Sequence, residues 1–180
     1  KNTRELELLD FFDQFIKDSE KYPNPNTGKL VAKSTLKAYK GTLEVLRLFN
    51  KKSTLTFSNI NMNWYNRFVE WCYNKDLSTN TIGKHIKTLK TVLNIAVDKE
   101  VSNNIDFRHK NFKVLKEEVD SIYLNEVELR AMLDIDLSKS PRLENARDLF
   151  IIGAYTGLRV SDFNNLKKEN ILVERGVRMF

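Results

Sequence analysis

Apolar side chains recur at intervals of three and four residues through most of the first hundred positions, and this interval defines one face of an α-helix. Four such stretches cover roughly residues 4–19, 34–50, 61–74 and 77–100. A segment with two prolines, two asparagines and a glycine, residues 22–28, separates the first two stretches. The spacing therefore predicts four amphipathic helices around a common core, and a mainly α fold.

The third stretch is the most apolar, and its large side chains repeat at helical spacing. Trp64, Phe68, Trp71 and Cys72 share one face, which favours a place in the core over a surface that stacks on bases. Since Cys72 is the single cysteine, the chain has no internal disulfide, and its apolar neighbours are typical of a buried structural thiol. The residue pattern also shows no metal site, signal peptide or membrane span, so we expect a cytoplasmic protein without a metal or other cofactor.

Positive charge is concentrated in the middle of the chain. Residues 21–116 hold eighteen Lys and Arg against six Asp and Glu, whereas the segments before and after them are both net acidic. A basic block inside an otherwise ordinary chain indicates a surface that binds a polyanion such as nucleic acid.

Two of the predicted helices carry this charge on the face opposite their apolar side. In the second helix, which Ser34 is predicted to cap, the basic face holds Lys37, Lys40 and Arg47. In the fourth helix the polar face combines lysines with small hydrogen-bonding residues, namely Asn80, Lys84, Lys87, Lys90, Thr91 and Asn94. Lysines suit DNA phosphates, and Asn or Thr suit bases or backbone, although an ordinary solvated lysine face is the alternative interpretation.

The segment after the fourth helix has no regular periodicity. This lack of periodicity predicts that residues 103–120 are a basic connector between a first domain, 1–102, and a second domain, 121–180. The connector carries Arg108, His109, Lys110, Lys113 and Lys116. Arg108 is taken as a DNA contact, but charged linkers are often only solvated, so DNA binding by the connector as a whole stays open.

The second part of the chain contains local signals for helix ends. Asn125 and Glu128 form an approximate capping box, and Ser140 followed by Pro141 is a specific helix start. The helix that begins at Pro141 is expected to bury Leu143, Ala146, Leu149, Phe150 and Gly153. Residues 171–180, with β-forming side chains on both sides of a glycine turn, predict a hairpin.

The string Thr-Gly-Leu-Arg-Val-Ser-Asp-Phe at 156–163 joins a helix end to a new helix start. Gly157 can adopt a left-handed conformation cheaply and so ends the helix before it. Arg159 then lies near the start of the next helix, where a guanidinium suits a phosphate. By geometry alone, an arginine that is ion-paired with Asp162 is an equal alternative.

This string resembles the first catalytic-arginine motif of the tyrosine recombinases, the phage-integrase-like family, in which an acidic residue follows the arginine by three positions. The order of parts also resembles that family, which implies a SAM-like four-helix core-binding domain followed by the N-terminal part of a mixed α+β catalytic domain. Such proteins clamp double-stranded DNA between the two domains, with the second and fourth helices at the major groove. Other recombinase protomers on the DNA would be further partners.

The resemblance also implies a chemistry. In this family a tyrosine attacks a DNA phosphodiester without a metal or nucleotide and forms a 3′-phosphotyrosyl link. Arg159 would stabilise charge on the phosphate in the transition state, and Asp162, where many relatives have Glu, would support it. The family's catalytic lysine, histidines, second arginine and tyrosine would follow Phe180, so this chain is expected to bind DNA but not to cleave it alone.

Two other functions are compatible with the sequence. One is a non-catalytic DNA-binding regulator in which residues 156–170 form a helix-turn-helix, although Asp162 and Glu169 make that segment a poor recognition element. The other is a helical protein-interaction module whose lysines are merely solvated; its DNA affinity would lack a steep salt dependence.

Overall fold

A computed structural model describes residues 7–24, 27–51, 54–165, 167–170, 172–174 and 177–179. The chain divides into two units, Lys1–Val119 and Asp120–Phe180. Most residues in the described part of the first unit are helical, which confirms the mainly α prediction. None of the described helices is long and apolar enough to span a membrane.

The first unit contains the four predicted helices. They are α1 (Leu8–Lys21), α2 (Lys33–Phe49), α3 (Met62–Tyr73) and α4 (Thr79–Asp98). The expected apolar stripe of α4 is entirely buried in the core of this unit and consists of Ile82, Ile86, Leu89, Leu93 and Ala96. Leu8, Phe12 and Ile16 of α1 face the same core.

Stacked aromatic rings form the part of the core contributed by α3. Trp64 and Phe68 stack with their ring centroids 5.0 Å apart, and Phe49 meets the Phe68 ring edge-on at 5.3 Å. Cys72 is fully buried, and burial raises the pKa of its thiol to about 11. The predicted core role of these side chains is confirmed, because rings packed in this way are not available to stack on bases.

The predicted cap of α2 is wrong by two residues. The helix begins at Lys33, and Ala32, with an extended backbone (ψ 143°), takes the N-cap position, which leaves Ser34 inside the first turn. A serine cap contributes only about 1 kcal/mol. A contribution of this size does not by itself fix the residue at which a helix starts.

Residues 107–117, here called the strap, follow α4 and contain only the end of a short 3₁₀ turn at Asp106–Arg108. The strap lies within the part expected to be a connector, but it is not a solvated linker. Phe107 and Phe112 are fully buried in the same core as the four helices. Two isolated aromatic residues give no helical or strand periodicity, so the sequence pattern did not reveal this packing.

The second unit begins with two helices whose ends follow the sequence signals. They are α5 (Glu126–Leu133) and α6 (Pro141–Thr156), with Ser140 at the N-cap of α6. The capping box is present: the Asn125 side chain accepts from the Glu128 N–H at 3.1 Å, and the Glu128 carboxylate accepts from the Asn125 N–H at 2.8 Å.

The buried face predicted for α6 is wrong. Leu143, Leu149 and Phe150 are 56%, 53% and 49% exposed; Ala146 is exposed and Gly153 half-buried. Ile151 is buried instead. Helical spacing identifies an apolar face but not whether a partner covers it, and α5, with eight residues, is half as long as α6.

A short helix, a 3₁₀ turn (Lys168–Asn170) and a hairpin complete the described part of the second unit. The helix is α7 (Val160–Phe163), and the strands are β1 (Leu172–Glu174) and β2 (Val177–Met179). The strands are antiparallel, with Val173 opposite Arg178. The predicted hairpin is confirmed, although its turn, residues 175–176, lies outside the described residues.

Candidate nucleic-acid interface

The exposed face of α4 presents lysines that are free to meet a ligand. Lys84 and Lys87 are both exposed, and neither forms an ion pair with any residue that the structure describes. Thr91 lies one turn further along, where its hydroxyl donates to the Lys87 carbonyl at 3.1 Å. The only acid in α4 is Asp98 at its last residue. The middle of this face is therefore purely cationic and polar.

Other polar residues of α4 hold the strap. The Asn80 amide donates to the Glu117 carbonyl at 2.9 Å and accepts from the Glu117 N–H at 3.0 Å, so it pairs with both backbone groups of one residue. The Lys90 ammonium donates to the Phe112 carbonyl at 2.9 Å and lies 5.6 Å from the centre of the Phe112 ring. These groups are engaged inside the first unit.

The beginning of the strap is attached in the same way. The Arg108 guanidinium donates twice to the Asn94 side-chain oxygen, at 2.9 and 3.2 Å. Thus four residues that were each predicted to contact DNA instead form hydrogen bonds between α4 and the strap, namely Asn80, Lys90, Asn94 and Arg108. Helical spacing placed three of them on one face of α4, but it could not show which chain segment lies against them.

The basic face of α2 is partly neutralised by α1. Lys40 pairs with Glu20 at 2.5 Å, and Arg47 pairs with Asp13 at 3.3 Å. A hydrogen bond from Lys17, with the charges of Lys17 and Arg47, lowers the pKa of Asp13 despite some desolvation. These pairs are exposed and each contributes at most about 1 kcal/mol, so a phosphate could replace the carboxylate at small cost.

The remaining α2 candidates lie near the helix start. Ser34 and Lys37 are exposed, and Lys37 has no ion pair among the described residues. The structure therefore places two lysines without ion pairs, Lys84 and Lys87, on one face of α4 with Thr91, and leaves Lys37 without an ion pair on α2.

A part-buried hydrogen bond links α2 to α4. The Thr42 hydroxyl, on a residue that is 2% exposed, lies 3.0 Å from His85 Nδ1. Burial lowers the pKa of His85 below its ordinary value of 6.5. Sequence reasoning assigned no role to His85, because the pairing joins positions 43 residues apart.

The stability of the protein should therefore depend on pH through His85. With its folded pKa below 6.5, the unfolded chain binds more protons near that pH, so the free energy of unfolding should fall as pH decreases through 6.5. Urea unfolding at a series of pH values between about 7.5 and 5.5 measures this slope. His85→Gln should flatten it, and an unchanged slope in that variant would rule out His85 as the source.

The sequence around Arg159 folds as its residue types suggest. Gly157 ends α6 in the left-handed region (φ 65°, ψ 10°), and its N–H donates to the Gly153 carbonyl at 3.0 Å. Arg159 is the extended N-cap residue of α7, and its carbonyl accepts from the Asp162 N–H at 2.9 Å. Asp162 thus lies on the first turn beside Arg159.

The Arg159 side chain is exposed and forms no ion pair with a described residue. The Asp162 carboxylate instead accepts from the Ser161 hydroxyl at 3.3 Å. The alternative in which Asp162 neutralises Arg159 is therefore not supported. The helix-turn-helix alternative is also weakened, because α7 has only four residues, too few for a recognition helix that follows a groove.

The family model described as Phage integrase SAM-like domain matches residues 7–114. The matched region includes all four helices of the first unit and the strap as far as Val114. No match was found among curated proteins or among solved structures.

Proposed function

Because this chain belongs to the phage integrase SAM-like domain family, we propose that its first unit binds double-stranded DNA as part of a site-specific recombinase. The unpaired Lys84 and Lys87 on α4 carry the proposal. Their ammonium groups would contact phosphates, which supply most of the affinity of a DNA-binding protein.

The dimensions of α4 fit this role. A helix of twenty residues is about 30 Å long, and the major groove, about 12 Å wide, admits one helix. Thr91 lies on the same face as the two lysines and has a hydroxyl that can contact a base edge or the backbone. Lys37 would add a phosphate contact from α2, and Lys40 and Arg47 could exchange their carboxylate partners for phosphates.

We further propose that Arg159 binds the phosphate at which the strand is cut. Its exposed guanidinium fork can donate two parallel hydrogen bonds to non-bridging oxygens, which gain negative charge in the transition state. Asp162, on the adjacent turn, would orient the site. In this proposal the complete protein is a tyrosine recombinase that works in the cytoplasm with other protomers on duplex DNA.

Binding to duplex DNA at a series of salt concentrations tests the DNA-binding proposal. With three or more phosphate contacts, the logarithm of the association constant should fall with the logarithm of salt concentration with a slope of about −3 or steeper. Fluorescence anisotropy of a labelled duplex measures this slope. A slope shallower than about −1 would favour the protein-interaction alternative.

A further inference from the structure

Besides the buried Phe107 and Phe112, hydrogen bonds to its backbone fix the strap to the helices. The carbonyls of Phe112 and Lys113 accept hydrogen bonds from the side chains of Lys90 and Tyr65, the latter at 2.9 Å. Glu117 contributes both its backbone groups to Asn80. Because the backbone makes these contacts, the side chains of Lys113 and Lys116 are not needed for them.

Close contact with α4 further restricts where the strap can lie. A Cβ added to Gly83 would come within 1.9 Å of the Leu115 carbonyl oxygen, which is far shorter than any tolerated contact. Glycine at this position therefore allows the strap backbone to lie directly on the helix. Any side chain there would force the strap away from α4, since the obstructing atom belongs to the backbone.

From Phe112 to Lys116, burial follows a spacing of three residues. Phe112 is buried and Leu115 is packed against the core, whereas Lys113 and Lys116 are both exposed. Lys113 and Lys116 occupy equivalent positions in this repeat, and neither forms an ion pair with a residue in the described part of the chain. In this part of the strap the core side is thus apolar, and the outer side carries two unpaired lysines beside the exposed Val114.

The lysines of α4 adjoin this outer row. Lys87 is four residues after Gly83 and three before Lys90, so on the helix surface it is a neighbour of two residues that touch the strap. Lys84 is four residues after Asn80, which pairs with Glu117 of the strap. The strap runs antiparallel to α4, from Arg108 beside Asn94 to Glu117 beside Asn80.

We propose that the strap is a second phosphate-binding row, in which Lys113 and Lys116 act together with Lys84 and Lys87 on one DNA duplex. Tyr65, Gly83 and Lys90 are positioning residues, since they hold the row in place without touching DNA. Cations on a fixed backbone lose less conformational freedom on binding than cations on a free linker, and this makes each contact more favourable. The inference rests on the proposed DNA-binding function and extends its surface beyond the four helices.

A double-mutant cycle on duplex affinity tests the inference. Lys113→Gln with Lys116→Gln should weaken binding roughly tenfold and make the salt slope shallower by about 1.8, which corresponds to two phosphates. Gly83→Ala leaves the charge unchanged but displaces the strap, so it should also weaken binding and reduce the slope. The combined variant should be little weaker than the lysine variant alone, because both changes remove the same contacts.

Circular dichroism establishes that each variant keeps its helices. If Gly83→Ala does not fold, Tyr65→Phe replaces it, since that change removes only the hydroxyl that donates to Lys113 and should weaken binding two- to threefold. A lysine variant within twofold of the parent protein, with an unchanged slope, would overturn the inference. If the losses of affinity in the two variants multiply in the combined variant, the inference is also overturned. That result would show that Gly83→Ala weakens binding independently of Lys113 and Lys116.

The same measurements separate this inference from the proposed function. If the parent protein lacks salt-dependent duplex binding, the DNA-binding proposal itself fails. If the parent binds and responds to Lys84→Gln with Lys87→Gln, but not to the strap lysines, only the second row is contradicted.

Discussion

Replacement of Lys84 and Lys87 by glutamate is expected to weaken duplex binding on the order of 100-fold near physiological salt. The two lysines are exposed and unpaired in the described part of the chain, so their ammonium groups are available to phosphates without loss of an internal partner. Each lost contact should make the salt slope shallower by about 0.9, and the introduced carboxylates would add repulsion. Anisotropy titrations at several salt concentrations measure both effects.

A variant with the same change in net charge gives the control. Lys21→Glu with Lys99→Glu alters two exposed lysines at the C-terminal ends of α1 and α4, away from Lys84 and Lys87. It should weaken binding only severalfold, through the general field of the protein. An equal loss in both variants would show that net charge, rather than this face of α4, governs the affinity.

Replacement of Arg159 by alanine is expected to impair strand cleavage by about 10²–10³-fold in a recombinase that contains this chain together with its nucleophilic tyrosine. The affinity for DNA should stay within about threefold, because one phosphate contact among several is lost. Arg159→Lys keeps the charge but loses the guanidinium fork, so it should recover only part of the activity. Covalent protein–DNA adducts trapped on a nicked duplex give the cleavage rate.

Arg142→Ala is the matched control for Arg159. Arg142 is another exposed arginine of the second unit and has no ion pair among the described residues. Its replacement should leave adduct formation unchanged. If Arg159→Ala cleaved at the parental rate, or lost binding and cleavage to the same degree, Arg159 would not be the group that stabilises the transition state.

Local sequence signals anticipated the features that depend on neighbouring residues. Gly157 ends a helix because few other residues adopt its left-handed backbone, and Asn125 with Glu128 caps a helix through two short-range hydrogen bonds. The stripe of α4 from Ile82 to Ala96 was visible because a helix repeats every 3.6 residues. Such rules act within a few positions and can be read from the chain alone.

Features that join distant positions were missed for the same reason. Asn80 bonds Glu117, 37 residues away, and Arg47 bonds Asp13, 34 residues away. Helical periodicity shows neither partner, so it predicted Asn80 and Arg47 to be available for DNA. The packing of Phe112 in the core also depends on tertiary contacts. The face of α6 was predicted to be buried because its apolar residues have helical spacing, but no described element covers it and it is exposed.

The location of bound DNA on the first unit most directly tests the proposal that DNA binds α4 and the strap. In ¹⁵N spectra of the chain titrated with a duplex, the amides of Lys84, Lys87 and Thr91 should shift most, and those of Lys113 and Lys116 should shift with them. The amide resonances of the exposed α3 residues Arg67 and Glu70, which lie outside the proposed surface, should not shift. Shifts centred on α3, with α4 and the strap unperturbed, would contradict the proposed DNA-binding surface.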